Sequence, residues 1–142
     1  MRILGVDYGT VRIGLSLSDP SGILAHSLKM IHRLGDAQAA REIAEVVRGE
    51  QVEKIVVGLP RHMNGEEGER AQQCRDFARR LENLTRVSVD MYDERLTSVQ
   101  AERVLIAADV SRKRRKQVVD AMAATLLLQG YLDGHRETRA DS

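Results

Sequence analysis

Apolar positions along this chain follow two rhythms, and the changes between them divide it into elements. Arg2 to Tyr8, Val11 to Ser18 and Ile23 to Ile31 carry apolar runs with strand character. They are separated by turn signals at Gly9-Thr10 and Pro20-Ser21-Gly22, which predicts consecutive antiparallel hairpins. Asp36 to Arg48 places Ala40, Ile43, Ala44 and Val47 on one face, so an amphipathic helix closing near Gly49 is expected. Lys54 to Leu59 is a continuous apolar strand stopped by Pro60, and Arg61 to Gly68 is a polar, glycine-containing loop. Glu69 to Leu84 reads as the next helix and Arg86 to Tyr92 as a fifth strand. Thr97 to Ala108 is a helix opened by a capping box of Thr97 and Gln100, and Val118 to Leu132 is the last helix. The order β-β-β-α-β-α-β-α-α requires a mixed sheet with helices packed on its faces. No repeat, linker or low-complexity stretch interrupts it, so residues 1–133 form one α/β domain followed by a polar tail over 134–142.

Composition narrows the partners less than charge distribution does. The chain has 142 residues, enough to bury a real core, and its formal net charge is +1. That balance argues neither for nor against a polyanionic partner. The cations are unevenly spread, however: Arg112, Lys113, Arg114, Arg115 and Lys116 stand in a row between two helical patterns. The plain reading of such a run is a solvated loop, and the functional reading is a phosphate contact. A single cysteine, Cys74, excludes an internal disulfide and a cysteine-based zinc site. Its helical neighbours Ala71, Phe77, Ala78 and Leu81 make it a buried structural thiol. With no signal peptide and no apolar run of membrane-spanning length, a cytoplasmic protein without a membrane partner is expected.

Candidate chemistry rests on acids. Asp7 ends the first strand just before the Gly9-Thr10 turn, Asp93 and Glu94 follow the fifth strand, and Asp120 stands near the start of the last helix. Carboxyl ends of parallel strands in an open α/β sheet share an edge, so Asp7 and Glu94 are candidates to meet there. Asp120 lies beside a strongly apolar helix face, where an unpaired carboxylate is costly to bury. Ala121, Ala123 and Ala124 are small enough to let that helix approach the sheet. Three converging carboxylates call for a cation, and an all-oxygen ligand set suits one or two Mg2+ or Mn2+ ions. Such a centre activates water and holds a scissile phosphate. Each acid also has a plainer role: Asp93 or Glu94 as a helix cap, Asp120 as a partner of Lys116. Asp93 is the alternative ligand to Glu94, because successive strand side chains point to opposite faces. The four histidines are scattered and none is assigned to metal.

Four segments occur in a telling order: Val6-Asp-Tyr-Gly-Thr-Val-Arg-Ile-Gly14, Val57-Gly-Leu-Pro60 with its Met63-Asn-Gly65 and Gly68 loop, Asp93-Glu-Arg-Leu-Thr-Ser98, and Asp120-Ala-Met-Ala-Ala124. Together they closely resemble the YqgF/RuvX family of bacterial proteins, over residues 1 to roughly 133. The resemblance implies a ribonuclease H-like fold: a five-stranded mixed sheet, three strands antiparallel and two parallel, with helices on both faces. It also implies a metal-dependent nuclease, linked to maturation of the 5′ end of pre-16S ribosomal RNA and, through RuvC, to Holliday-junction resolution. Asp7, Glu94 and Asp120 match the family's acidic triad. Val11 stands where such proteins often have Lys or Arg, and Asn64 where Asp is common.

Two rival readings follow from the same residues. The Asp7-Gly9-Thr10 turn also occurs in actin-like and sugar-kinase ATPases, but 142 residues leave no room for the second domain those proteins need. A nucleic-acid-binding module without catalysis is the other rival, and the retained acids argue against it. One Phe and three Tyr leave few rings to stack unpaired bases, so recognition should rest on phosphates and on the shape of structured RNA or branched DNA. Arg112 to Lys116, with Arg61 and Arg95, are the expected phosphate contacts. Oligomeric state stays open, a homodimer included.

Overall fold

The structure, a computed structural model, describes residues 1–95, 111 and 122–135. The helix expected over Thr97 to Ala108, the basic run from Arg112 to Lys116, and Asp120 lie outside the described residues. Strands β1 (Ile3–Tyr8), β2 (Arg12–Ser18) and β3 (Ala25–His32) are followed by α1 (Asp36–Gly49), β4 (Lys54–Leu59), α2 (Glu69–Thr85) and β5 (Ser88–Asp93). A further helix spans 122–135. The sheet order is β3-β2-β1-β4-β5. β1 and β3 pair antiparallel with β2, whereas β4 runs parallel to both β1 and β5. This is the mixed sheet of three antiparallel and two parallel strands that the sequence pattern requires.

Alternation along β1 and β2 assigns the two faces. Leu4, Val6, Tyr8, Ile13, Leu15 and Leu17 point to one side, into a core shared with Ile43 and Val47 of α1 and Phe77 and Leu81 of α2. Ile3 of β1 and Val56 of β4 point to the other, beneath Leu127, Leu128, Tyr131 and Leu132. Helices therefore cover both faces.

The helix over 122–135 approaches the sheet closely for a specific reason. A Cβ on Gly5 would lie 2.4 Å from Ser16 Oγ and 2.9 Å from Leu128 Cβ. Ser16, fully buried, uses that Oγ to donate to the Ala124 carbonyl at 2.6 Å. A hydroxyl in this position is satisfied rather than stranded, so the close packing carries no unpaired polar group.

Most boundaries fall within a residue of the sequence expectation, and the starts of β3 and β5 shift by two. β3 begins at Ala25 because Asp19 builds the preceding turn, its carboxylate accepting from the Ile23 N–H and the Ser21 hydroxyl, both at 2.9 Å. β5 begins at Ser88 because Arg86, at φ 63°, takes the left-handed position that closes α2.

Gly5→Ala is expected to destabilise the protein by about 1–3 kcal/mol, since the added methyl meets Ser16 Oγ, itself held by the Ala124 carbonyl, and Leu128 Cβ. Urea denaturation should show a lower midpoint with an unchanged slope.

Candidate active site

Parallel register brings three strand ends to one edge. Val6 lies beside Val57, Gly58 beside Tyr92, and Leu59 beside Asp93, so Asp7 and the end of β5 flank β4. After Asp93 the backbone turns helical at Glu94 and Arg95. That turn lets the longer Glu94 side chain reach back across β4. A Cβ on Gly58 would stand 2.2 Å from Glu94 Oε1, so the carboxyl occupies space that only glycine leaves open. There it hydrogen-bonds Asp7. Burial first, then the Asp7 charge and that hydrogen bond, push the Glu94 carboxyl up to about 7, against the opposing influence of Arg70. Around neutrality Glu94 is therefore partly protonated, and in that form its O–H donates to Asp7.

The neighbouring acid has a different partner. Asp93 accepts a fork from Arg95, with Nη2 to Oδ2 at 2.6 Å and Nε to Oδ1 at 3.1 Å, which holds its carboxyl below the usual range. Arg95 Nη1 also donates to the carbonyls of His62 and Met63, tying the β4–α2 loop to the end of β5. Arg61 faces Glu67 at 3.6 Å, and Glu67 is shared with Arg75 at 2.6 Å. Both arginines expected at a phosphate groove therefore already have internal carboxylate partners. Asn64 caps this loop, accepting from the Glu66 N–H at 3.0 Å.

Other residues fix the end of β1. The Tyr8 ring stacks on Phe77 at 4.5 Å between centroids, and its hydroxyl donates to Asp36 at 2.7 Å. Arg33 and Arg70 lie 4.9 and 4.7 Å from the ring centre. Arg70 also donates to the Tyr8 carbonyl, so it grips the backbone next to Asp7 while its charge acts on Glu94. Sequence reasoning missed Arg70 and Gly58. Arg70 is one of many exposed-looking helix arginines, and a strand glycine carries no sign of which side chain will cross it. Cys74 is buried beneath, its thiol pushed up to about 11 chiefly by burial, which makes it structural and inert.

Asp7 also lines a cavity of about 80 Å³ with Gly14, Lys29, Met30, Ala124 and Thr125. Among the described residues no group of three His, Cys, Asp or Glu side chains is placed to hold a metal. The Asp7–Glu94 pair nevertheless fits a hard divalent cation. It offers oxygen donors alone, and its shared proton stands where a dication would neutralise the same charge.

Comparison with known proteins settles the lineage. A family model described as RuvX, Holliday junction resolvase, matches residues 1–134. The chain belongs to the RuvX family. Among RuvX relatives, a protein of Bacillus mycoides named "Putative pre-16S rRNA nuclease" is 50% identical over 136 residues, covering 94% of this chain and 98% of that one. One of the same name from Moorella thermoacetica is 52% identical over 133 residues, covering 94% and 95%. Among solved structures, Thermus thermophilus RuvC in complex with a Holliday junction substrate aligns with a TM-score of 0.66 over 97% of both chains. Its identity of 15% makes this a likeness of fold, which is ribonuclease H-like. RuvX membership makes the chain a relative of nucleases, hydrolases acting on nucleic acid.

The raised Glu94 carboxyl sets a pH dependence. An acid whose folded value lies above its ordinary 4.5 stabilises the fold fully at low pH and loses that contribution as pH rises toward about 7. In EDTA, stability of the wild type should fall between pH 4.5 and 7 by up to about 1.4 kcal/mol per unit from this group. Glu94→Gln, which keeps an N–H donor toward Asp7, should lack that component. Thermal melts across pH should therefore show the variant gaining on the wild type as pH rises; parallel curves would contradict the shared proton.

Proposed function

We propose that this RuvX protein is a divalent-metal-dependent endonuclease that processes the 5′ end of pre-16S rRNA. Asp7, Glu94 and Asp120 are its metal ligands. The observation that carries the reading is the Asp7–Glu94 carboxyl pair, held over Gly58 at the edge where β1, β4 and β5 end. Asp120 is the third ligand in this reading. It precedes by four residues Ala124, whose Cβ comes within 3.4 Å of the position a Cβ on Gly14 would take, and Gly14 pairs with Asp7. The name carried by the RuvX relatives at about half identity supports the substrate.

One or two Mg2+ or Mn2+ ions, when bound, would supply a low-pKa water and positive charge for the scissile phosphate and the leaving oxygen. Asp7 and Glu94 would hold the cation, Glu94 in its deprotonated form. Gly58 keeps the slot open, and Arg70 holds the β1 end so that the Asp7 carboxylate stays aimed at it. Arg112, Lys113, Arg114, Arg115 and Lys116 meet phosphates along the strand, since they precede Asp120 so closely. No described helix is long and apolar enough to cross a membrane.

The test is cleavage of pre-16S leader RNA and of four-way DNA junctions by the purified protein with Mg2+ or Mn2+. RNA cut near the mature 5′ end, with the junction left intact, is the expected result. The family's description makes junction cleavage the second reading, and exclusive cutting of the DNA would favour it. Asp7→Asn should abolish cleavage while nucleic-acid binding persists; wild-type activity in that variant would place the chemistry elsewhere. Gly58→Ala offers an independent check. Its methyl meets only the far end of the Glu94 side chain, so the fold should hold within about 1 kcal/mol. Displacing the carboxyl should still lower the cleavage rate by about tenfold or more.

A further inference from the structure

Cations near the Asp7 edge divide by whether they are already paired. Arg33 is held by Asp36 at 2.9 Å, Arg61 faces Glu67, and Arg95 forks onto Asp93. Arg12 differs. It is exposed, and it has no ion pair or side-chain hydrogen bond among the described residues.

Its place in the sheet gives that freedom a use. Arg12, Gly14 and Ser16 share the β2 face opposite the core of Ile13, Leu15 and Leu17. Across the sheet, Gly14 pairs with Asp7 on one side and Met30 on the other, and Arg12 pairs with His32. Asp7, Gly14 and Met30 thus form one row over three strands, and Arg12 with His32 forms the next row on the same face. The rows are about 7 Å apart, two residues at roughly 3.4 Å each. Ala124 packs over Gly14, whereas Met30 is 49% exposed and His32 is exposed too. Gly14 contributes no side chain, and Met30 Sδ and Ala124 Cβ fill the space above it, 3.3 and 3.4 Å from where its Cβ would stand.

Met30 has a further significance in a chain so poor in aromatics. Tyr8, Phe77 and Tyr131 are buried, and Tyr92 packs edge-on to Tyr131. No exposed Phe or Tyr ring stands on this face among the described residues. A polarisable thioether is the apolar surface available to a sugar or base.

We propose that this face receives the substrate strand beside the cleavage site. Arg12 and His32 bind the phosphate of the neighbouring nucleotide, and Met30 packs against its sugar or base. The strand then runs from the Asp7 edge along the exposed Arg12–His32 row toward β3. This assignment rests on the nuclease reading above, and it gives the polarity-free phosphate contacts a definite location that Arg61 and Arg95, internally paired, do not supply.

The experiment measures binding by fluorescence anisotropy in an Asp7→Asn background, with pre-16S leader RNA and a four-way DNA junction, across a salt series. Adding Arg12→Ala should weaken binding about tenfold and lower the salt slope by about one. Arg12→Lys should recover most of the loss. Met30→Ser should weaken binding severalfold with the slope unchanged, because no charge is lost. Arg79→Ala, an exposed cation on α2, serves as the control and should change affinity less than about twofold. Affinity and slope unchanged in both Arg12→Ala and Met30→Ser would overturn the proposal. Cleavage by the otherwise wild-type chain separates the two claims. Cleavage with an indifferent Arg12 would leave the nuclease reading standing and remove this face from it. Binding that depends on Arg12, without cleavage of either substrate, would keep the face and remove the nuclease.

Discussion

Two carboxyls hydrogen-bonded to each other above a glycine are the constraint around which this molecule is arranged. Asp7 and Glu94 come from strands separated by β4, and they can meet only because Gly58 of β4 has no side chain between them. Burial makes the contact expensive if both groups are charged, which is why Glu94 is pushed up to about 7. The same expense is what a divalent cation relieves. An ion bound there, as proposed, would couple the stability of the site to ion binding.

The surrounding structure holds that slot from both faces. Below it, Tyr8 is stacked on Phe77, anchored to Asp36 and flanked by two guanidinium groups, so the backbone that presents Asp7 has little freedom. Above it, the helix over 122–135 is seated by the Ser16–Ala124 hydrogen bond and by the bare backbone of Gly5 and Gly14. To the side, Arg95 secures Asp93 and the β4–α2 loop, leaving Glu94 as the acid that turns inward. Core packing and site geometry are therefore one arrangement: residues that alternate into the core alternate their neighbours toward the edge.

Much of this was legible in the sequence, and the limits have physical causes. Strand and helix identities followed from apolar periodicity, and the β-β-β-α-β-α-β order left little choice of sheet. Element ends were less readable because they depend on single conformations, such as Arg86 at positive φ or the Asp19 side chain folding its own turn. At the site, the acids stood out as charges at strand ends. Strand alternation alone did not decide between Asp93 and Glu94; the turn into helix after Asp93 did, together with the length of the Glu94 side chain. Arg61 and Arg95 drew attention as cations near the edge, yet a sequence does not reveal that Glu67 and Asp93 fold back to meet them. Gly58 stood within the Val57-Gly-Leu-Pro60 segment without a role and Arg70 gave no signal, because their roles exist only in three-dimensional register. Asp120 lies outside the described residues, and Ala124, four residues later in the sequence, marks where the helix over 122–135 meets the Asp7 row.

The claim at the centre is that the Asp7–Glu94 slot exchanges its shared proton for a divalent ion. The most direct measurement is an anomalous difference map from crystals soaked in Mn2+ at pH 8. The account predicts a peak bridging the two carboxylates above Gly58, with their mutual hydrogen bond gone. A map without density there, with Glu94 still donating to Asp7 at saturating Mn2+, would contradict it.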